Sequence, residues 1–209
     1  MSKTMKIDRI PIYCIAAIAF CCIAVKDTSA SKVKPLNIRE LTTSAKIIFE
    51  GECVKVRSGK DADSGLLATW YTFRIKTGIK GKVGDEYTFK QFGGSDGDVT
   101  VHVPTVTYRE GETVILFLYG DSEIGFSSSV GMNQGKFAVQ KIPDTEAEYV
   151  TNGMPAMLLF KDEPQHVSTL DAKGAKAVGS KRLSSKNMDR KEFIAEIERL
   201  VKQTQKETQ

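Results

Sequence analysis

The sequence is poor in the side chains from which metal sites and acid–base sites are built. It contains only two histidines, His102 and His166, and neither is part of a recognisable ligand motif. A structural zinc site needs four ligands and a catalytic one usually needs three. His102 also occupies a polar position in the alternating run 99–103, which predicts a solvent-facing side chain. We therefore expect no metal site and no histidine-based catalysis.

Motifs for nucleophilic catalysis and for phosphate binding are missing as well. There is no Gly-x-Ser-x-Gly turn and no Ser-x-x-Lys with its supporting motifs. The glycines at 93, 94 and 97 lack the Gly-Lys-Ser/Thr ending and the helix of a phosphate-binding loop. Asp96 and Asp98 lie in a loop that is shorter and poorer in carboxylates than a calcium loop, so we favour a plain turn over calcium binding. We expect a protein that is not an enzyme and uses no cofactor; a hydrolase with an unrecognised site is the alternative.

Cysteine is scarce beyond the first thirty residues. Cys14, Cys21 and Cys22 lie within them, and only Cys53 follows. A chain without the first thirty residues cannot form an internal disulfide, so its hydrophobic core must stabilise it. Cys53 lies in the strand-like run 47–56, which predicts a buried small hydrophobic side chain. An intermolecular disulfide and a reactive thiol are the alternatives.

The one long apolar stretch of the chain is at its N-terminus and predicts an export signal. Three cations precede about 16 mostly apolar residues, 10–25, and small residues follow up to Ala30, where we expect cleavage. The stretch is shorter than the roughly 20 residues that span a bilayer, so an uncleaved anchor is the weaker alternative. A lipoprotein signal is also weaker, because Phe20 stands where a small residue is required. We expect no stable membrane insertion after cleavage.

The charge of the chain is nearly balanced. The formal net charge is +4, from 30 basic and 26 acidic residues. A nucleic-acid-binding protein usually has a larger and more clustered basic excess. We therefore expect no nucleic-acid partner.

The run Gly111–Tyr119 predicts the central strand of a β-fold. From Thr113 to Tyr119 it is apolar or β-favouring on both faces, which is typical of a strand buried on both sides. Many short strands separated by turn signals surround it, which predicts a mainly β protein built as a small antiparallel OB-like barrel. Gly51 within the first strand predicts a bulge or bend. The expected organisation is a signal peptide at 1–30, a β-barrel domain at 31–152, an irregular segment and linker at 153–186, and a helix with its tail at 187–209.

Two capping pairs predict helices at the two ends of the mature chain. Asn37 and Glu40 predict a short N-terminal helix that ends near Ser44. Asp189 and Glu192 begin a C-terminal helix whose apolar side chains recur on one stripe. We expect this stripe to cover an open side of the barrel; a partner chain is the alternative.

The exposed face of the strand at 70–76 is the best candidate for a binding surface. Trp70 and Arg74 share this face, and Lys90 on the next strand can join them. An aromatic ring flanked by cations suits a sugar, a nucleotide or an acidic peptide. The alternative is a solvated barrel exterior in which the indole packs across strands.

Several of these segments together carry a resemblance to known proteins. Ile47-Ile-Phe-Glu-Gly51, Gly111-Glu-Thr-Val-Ile-Leu-Phe-Leu118 and Gly131-Met-Asn-Gln-Gly-Lys-Phe-Ala138 resemble a large group of exported bacterial proteins without assigned activity. The first segment, the alternating strand from Tyr71 to Ile75 and the Lys80-Gly81 turn also look like the OB-type barrel of netrin-like and metalloproteinase-inhibitor domains. Those domains are disulfide-rich and the inhibitors use an N-terminal cysteine, whereas the chain expected after cleavage starts near Ser31 and has only Cys53. The second resemblance therefore implies the barrel alone.

These observations together predict a non-enzymatic binding or interaction module. We expect it to be exported to the periplasm or beyond, and to bind a protein or carbohydrate partner. An inhibitor or chaperone-like partner of an exported enzyme is the alternative that the netrin-like resemblance suggests.

Overall fold

The computed structural model describes residues 34–164 and 166–207. Residues from Pro35 onward form one compact unit. The expected signal peptide lies outside the described residues, so cleavage after Ala30 stays a prediction. No helix in the described ranges is both long enough and apolar enough to cross a membrane.

Antiparallel strands make up most of the fold, as the sequence predicts. The strands are β1 (Ile47–Lys60), β2 (Leu67–Lys80), β3 (Glu86–Phe92), β4 (Gly94–Ser95), β5 (Thr100–Val101), β6 (Thr113–Leu118), β7 (Lys136–Lys141), β8 (Glu148–Thr151) and β9 (Met188–Asp189). Seven of them form one sheet in the order β3-β2-β1-β6-β7-β8-β9, and β4 pairs with β5. Every named pairing is antiparallel.

The strand order by itself does not close into a barrel. In the described ranges the large sheet has two end strands, β3 and β9. The segment 126–130 follows β6 and makes isolated bridges to other strands. Ser129 pairs antiparallel with Leu118, and Phe126 pairs parallel with Lys90. The mainly β, antiparallel part of the prediction is confirmed, and the OB-like barrel stays a prediction.

Strand β6 lies at the centre of the sheet and is buried on both faces, as predicted. Alternate side chains of a strand point to opposite faces, so the two sets can fill two separate cores. One hydrophobic cluster takes the first set and a second cluster takes the other. The two sets, all fully buried, are Val114, Leu116 and Leu118, and Ile115 and Phe117. Tyr119, which we expected to end the strand, lies beyond it and is 41 % exposed.

Strands β1 and β2 are the longest of the described strands, at 14 residues each, and their pairing is irregular at Gly51, where the sequence predicts a bulge or bend. The pairing register between the two strands shifts between Glu50 and Gly51. A Cβ atom at Gly51 would lie 2.9 Å from the carbonyl oxygen of Arg74. The close approach of the two backbones therefore requires glycine here.

The four helices of the described chain are α1 (Ile38–Ser44), α2 (Ala156–Leu159), α3 (Ser180–Ser184) and α4 (Arg190–Glu207), and a 3-10 turn spans Met132–Gly135. The capping box predicted for α1 is present: the Glu40 amide donates to Asn37 Oδ1, and the Asn37 amide donates to Glu40 Oε2, both at 2.8 Å. At the start of α4 the Glu192 amide donates to Asp189 Oδ1 at 2.9 Å. Both predicted helix starts are therefore confirmed.

Helix α4 packs its apolar stripe against the sheet and α1, which confirms that the stripe is covered within the chain. Phe193, Ile197 and Leu200 are fully buried. They share one hydrophobic cluster with Leu41 of α1 and Phe117 of β6. The alternative in which a partner chain covers the stripe is not needed to explain it.

An ion pair joins the start of α4 to Glu50, the fourth residue of β1. The Arg190 guanidinium donates to both carboxylate oxygens of Glu50, at 2.9 and 2.6 Å. The Glu50 side chain is only 1 % exposed, whereas Glu148, a second partner of Arg190 at 3.2 Å, is partly solvated. A bidentate pair of this kind fixes the direction in which the helix leaves β9.

The segment 153–186, which we expected to be irregular, contributes to the core. It contains α2 and α3, and Thr169 forms a bridge with Met188. Leu159 and Val167 are fully buried. The short elements of this segment depend on tertiary contacts with the rest of the chain. The local sequence therefore shows no clear hydrophobic periodicity that would predict them.

The Phe193 ring gives a test of the contact between helix and sheet. Its centroid lies 4.7 Å from that of Phe137 in β7. We expect Phe193→Ala to lower the free energy of unfolding by about 3–5 kcal/mol, because it leaves a cavity in the core. Urea unfolding monitored by circular dichroism measures this, with the exposed Lys202→Ala as control, for which we expect a change within about 0.5 kcal/mol. Equal stabilities of the two variants would contradict the packing of α4.

Candidate binding pocket

The predicted surface around Trp70 contains a stacked cation that was not predicted. Trp70 lies directly opposite Arg57 of β1 on one side and Lys90 of β3 on the other. The Arg57 guanidinium carbon is 3.8 Å from the centre of the Trp70 ring. One ring face is therefore already covered by a cation–π contact within the protein.

Lys90 is held by groups of its own chain. Its Nζ donates to Asp61 Oδ2 at 2.8 Å and lies 4.8 Å from the centre of the Phe126 ring. The side chains of Lys90 and Asp61 are only 11 % and 6 % exposed. Hydrogen bonds from Lys90 and then from Ser64 lower the pKa of Asp61 to about 2. The ammonium group thus has its counter-ion beside it and adds little net charge to the surface.

Arg74 lies apart from the other two predicted site residues. It is four positions further along β2, opposite Glu52 and Glu86. Its side chain is 63 % exposed and its nearest carboxylate oxygen, on Glu52, is 3.9 Å away. The structure thus brings Trp70 and Lys90 together as cross-strand neighbours and separates Arg74 from them.

A cavity of about 230 Å³ lies between β2, β3 and the small β4–β5 sheet. Its apolar lining comes from Tyr71 of β2 and from Val101, Val103 and Val106. Small hydroxyl side chains, including Thr69, complete much of the wall. Among the described residues, no Asp, Glu, Lys or Arg side chain lines the cavity. This arrangement suits a small neutral ligand with an apolar body.

Two glycines, Gly93 and Gly94, shape the wall of this cavity. Their φ angles of +97° and +141° are ones that other residues rarely adopt, and a Cβ atom at Gly94 would lie 2.1 Å from Ser58 Oγ. Ser58 Oγ in turn accepts the Ser95 amide at 2.6 Å, and Thr69 Oγ1 donates to the Gly93 carbonyl at 2.9 Å. The loop at Gly93 and Gly94 is therefore in close contact with β1 and β2. The sequence alone indicated only a turn at these glycines.

Gln91 is the residue of this site that sequence reasoning missed. It lines the cavity, yet it is only 3 % exposed. In the described part of the chain, neither its Oε1 nor its Nε2 has a hydrogen-bond partner. A buried, unpaired amide costs about 1–3 kcal/mol, so its position calls for an explanation. The signal was present in the sequence: Gln91 continues the inward face of Tyr87 and Phe89.

Two titratable side chains line the cavity, and they have different surroundings. His102 is exposed, as the alternating run around it predicts. Burial raises the pKa of Tyr71, so its phenol stays neutral at physiological pH.

No group of three or more His, Cys, Asp and Glu residues that could hold a metal ion occurs among the described residues.

Cys53 lies in the core below the cavity wall, in the same hydrophobic cluster as Tyr71. It is a free cysteine and fully buried, which confirms the predicted small hydrophobic role. Burial raises the pKa of its thiol. The thiol is therefore protonated at neutral pH and poorly placed for nucleophilic chemistry.

Comparison of the sequence with models of known protein families and with curated protein sequences gave no match. The site is therefore interpreted from its own geometry.

The Asp61–Lys90 pair predicts a pH-dependent contribution to stability. Because the pKa of Asp61 is lower in the folded state than its usual value near 3.9, the stabilisation is complete above about pH 5. It is lost as the pH falls towards about 2. We expect Asp61→Asn to be less stable than wild type at pH 7, and this difference to close on acidification. Chemical unfolding at several pH values measures it, with the exposed Asp121→Asn as control; a difference independent of pH would contradict the assignment.

The unpaired amide of Gln91 predicts that its removal stabilises the protein. We expect Gln91→Met, which keeps the shape of the side chain, to raise the free energy of unfolding by about 1–3 kcal/mol. Gln205→Met on the exposed end of α4 is the matched control and should change stability by less than about 0.5 kcal/mol. Urea unfolding of the three proteins gives the comparison. A destabilised Gln91→Met would indicate that the amide has a partner inside the fold.

Proposed function

We propose that the chain is an exported, non-enzymatic binding module whose ligand occupies the cavity at Gln91. The observation that carries this proposal is a buried carboxamide without a partner in the wall of a neutral, mainly apolar cavity. Natural proteins rarely leave such a group unpaired unless a ligand or an ordered water completes it. A destabilising polar group beside a cavity is typical of a binding site.

The OB-like barrel is part of the proposal, and the segment 126–130 supports it. This segment follows β6 and returns beside it, with the Val130 amide donating to the Phe117 carbonyl at 2.9 Å. It then reaches β3, where the Ser127 amide donates to the Lys90 carbonyl, also at 2.9 Å. These contacts would join β6 to β3 and so complete a ring around the cluster of Phe73 and Tyr108. The cavity would then lie at one end of the barrel.

The proposed location is the periplasm or the cell exterior. It rests on the cationic, apolar and small-residue parts of residues 1–30, and on the resemblance to exported bacterial proteins. Among the described residues Cys53 is the single cysteine and it is buried, which suits an oxidising compartment because its thiol is not exposed to react.

A binding role is favoured over a hydrolytic one by the lining of the cavity. Acyl or phosphoryl transfer needs a nucleophile with a base, or a charged group that stabilises the transition state. Thr69, Tyr71 and Gln91 supply neutral hydrogen-bonding groups, and His102 stands in solvent without an orienting carboxylate among the described residues.

A second candidate function is the binding of a protein partner next to the cavity. Phe92 is 43 % exposed at the cavity rim and contacts Phe126 edge-on, with the ring centroids 6.3 Å apart. Ile124 is also exposed, at 52 %. Exposed aromatic side chains of this kind are typical of protein contacts, which fits the inhibitor or chaperone-like alternative.

Nuclear magnetic resonance tests the binding site directly. We expect a neutral aromatic fragment, benzamide, to shift the backbone amide signals of residues 91–107 in the ¹⁵N-labelled chain 31–209. Methyl glucoside tests the carbohydrate alternative, and its shifts should be smaller. Val101→Trp should abolish the benzamide shifts by filling the cavity, whereas Val99→Trp, at an exposed position outside the lining, should preserve them.

Two results would contradict the proposed site. One is the absence of shifts at residues 91–107 with both fragments. The other is an unchanged benzamide response in Val101→Trp, because the fragment would then bind elsewhere.

A further inference from the structure

The hydrogen-bonding atoms of the Gln91 carboxamide determine which kind of ligand group can pair with both of them. Its Oε1 accepts hydrogen bonds and its Nε2 donates two, and these atoms lie side by side in one plane. A ligand group with a donor and an acceptor side by side can satisfy both at once. A carboxylate would only accept and an ammonium would only donate, so each would leave one atom of Gln91 unpaired. This argument rests on the proposed function of the cavity as a binding site.

The surroundings of Gln91 exclude a charged ligand group. No Asp, Glu, Lys or Arg side chain lines the cavity in the described chain, and His102, which does line it, is exposed to solvent. The neighbouring Lys90 points to the opposite face of β3, where it pairs with Asp61 at 2.8 Å. A charge buried without a partner is costly, so the ligand must be neutral where it meets Gln91.

The volume and the apolar wall limit the body of the ligand. Cavities for drug-sized molecules measure about 300–1,000 Å³, and this one measures about 230 Å³. Tyr71 offers an aromatic surface, while Val101 and Val103 offer aliphatic ones. The space therefore suits one ring or a short aliphatic group.

We propose that the cavity recognises a small neutral molecule through a carboxamide or lactam edge, which pairs with the carboxamide of Gln91. The acceptor oxygen of the ligand receives the Nε2 hydrogen, and the ligand N–H donates to Oε1. The body of the ligand packs against Tyr71 and the valines. The recognition is non-covalent and involves no proton transfer.

Three probes of similar size separate this chemistry from general apolar binding. Benzamide has both a donor and an acceptor, acetophenone has the acceptor alone, and benzoate carries a negative charge. We expect benzamide to bind about tenfold more tightly than acetophenone, because one buried hydrogen-bonding group left unpaired costs about that factor. Benzoate should bind most weakly. Benzamide should also move the side-chain NH₂ signals of Gln91.

Variants at Gln91 test the role of the carboxamide. Gln91→Met should weaken benzamide by at least about tenfold and acetophenone by less, since benzamide loses two hydrogen bonds and acetophenone loses one, while the volume of the side chain is kept. Gln205→Met should retain the full preference for benzamide. If Gln91→Met were poorly folded, the Gln91 NH₂ signals of the wild-type protein would still report the pairing during titration.

The outcomes distinguish this inference from the proposed function. If the three probes shift residues 91–107 with equal affinity, the cavity is a binding site and the carboxamide inference is wrong. If no probe shifts those residues, the proposed function itself fails. If the Gln91 NH₂ protons contact a long-lived water that benzamide does not displace, the water satisfies the amide and the inference is also overturned.

Discussion

The burial of β6 on both faces is the constraint on which the rest of the structure depends. A strand with apolar side chains on both sides is stable only if both faces of the sheet are covered. Helices α1 and α4 cover one face, with Phe193 against Phe137. On the other face, aromatic side chains of β2 and β3, such as Phe73 and Phe89, pack with the even-numbered residues of β6. The two cores share no side chain of β6, so each core requires apolar residues at its own set of alternate positions in this strand.

The elements that follow a local rule were predictable from the sequence. The two-sided run at 113–118 shows its burial directly, and the capping box of Asn37 and Glu40 marks a helix start within four residues. Gly51 marks the irregularity in the pairing of β1 with β2, because only glycine permits the close backbone contact with Arg74. In each case the residues that determine the structure are adjacent in the chain, or carry an unusual backbone requirement.

The features that depend on distant contacts were not predictable in this way. Lys90 was assigned to an open surface, yet its partner Asp61 lies 29 positions earlier in a loop. Arg57 reaches Trp70 only because β1 and β2 pair over their whole length. Gln91 required a similar step: its inward position follows from the alternation with Phe89, but its lack of a partner follows from the fold around it. Sequence patterns give the direction of a side chain more readily than they give its neighbours.

The hairpin of β4 and β5 is held unevenly. Its first residues are fixed, because Gly94 lies against Ser58 and Thr69, whereas Gly97 at the tip has free space around the position of a Cβ atom. The base of this hairpin therefore tolerates no side chain. At the tip, the φ of +100° at Gly97 disfavours other residues, whereas its exposed neighbours Asp98 and Val99 can change at little cost to the fold. The tip residues 96–99 lie outside the cavity lining, so the hairpin can change there in length and sequence while the cavity and the two cores stay the same.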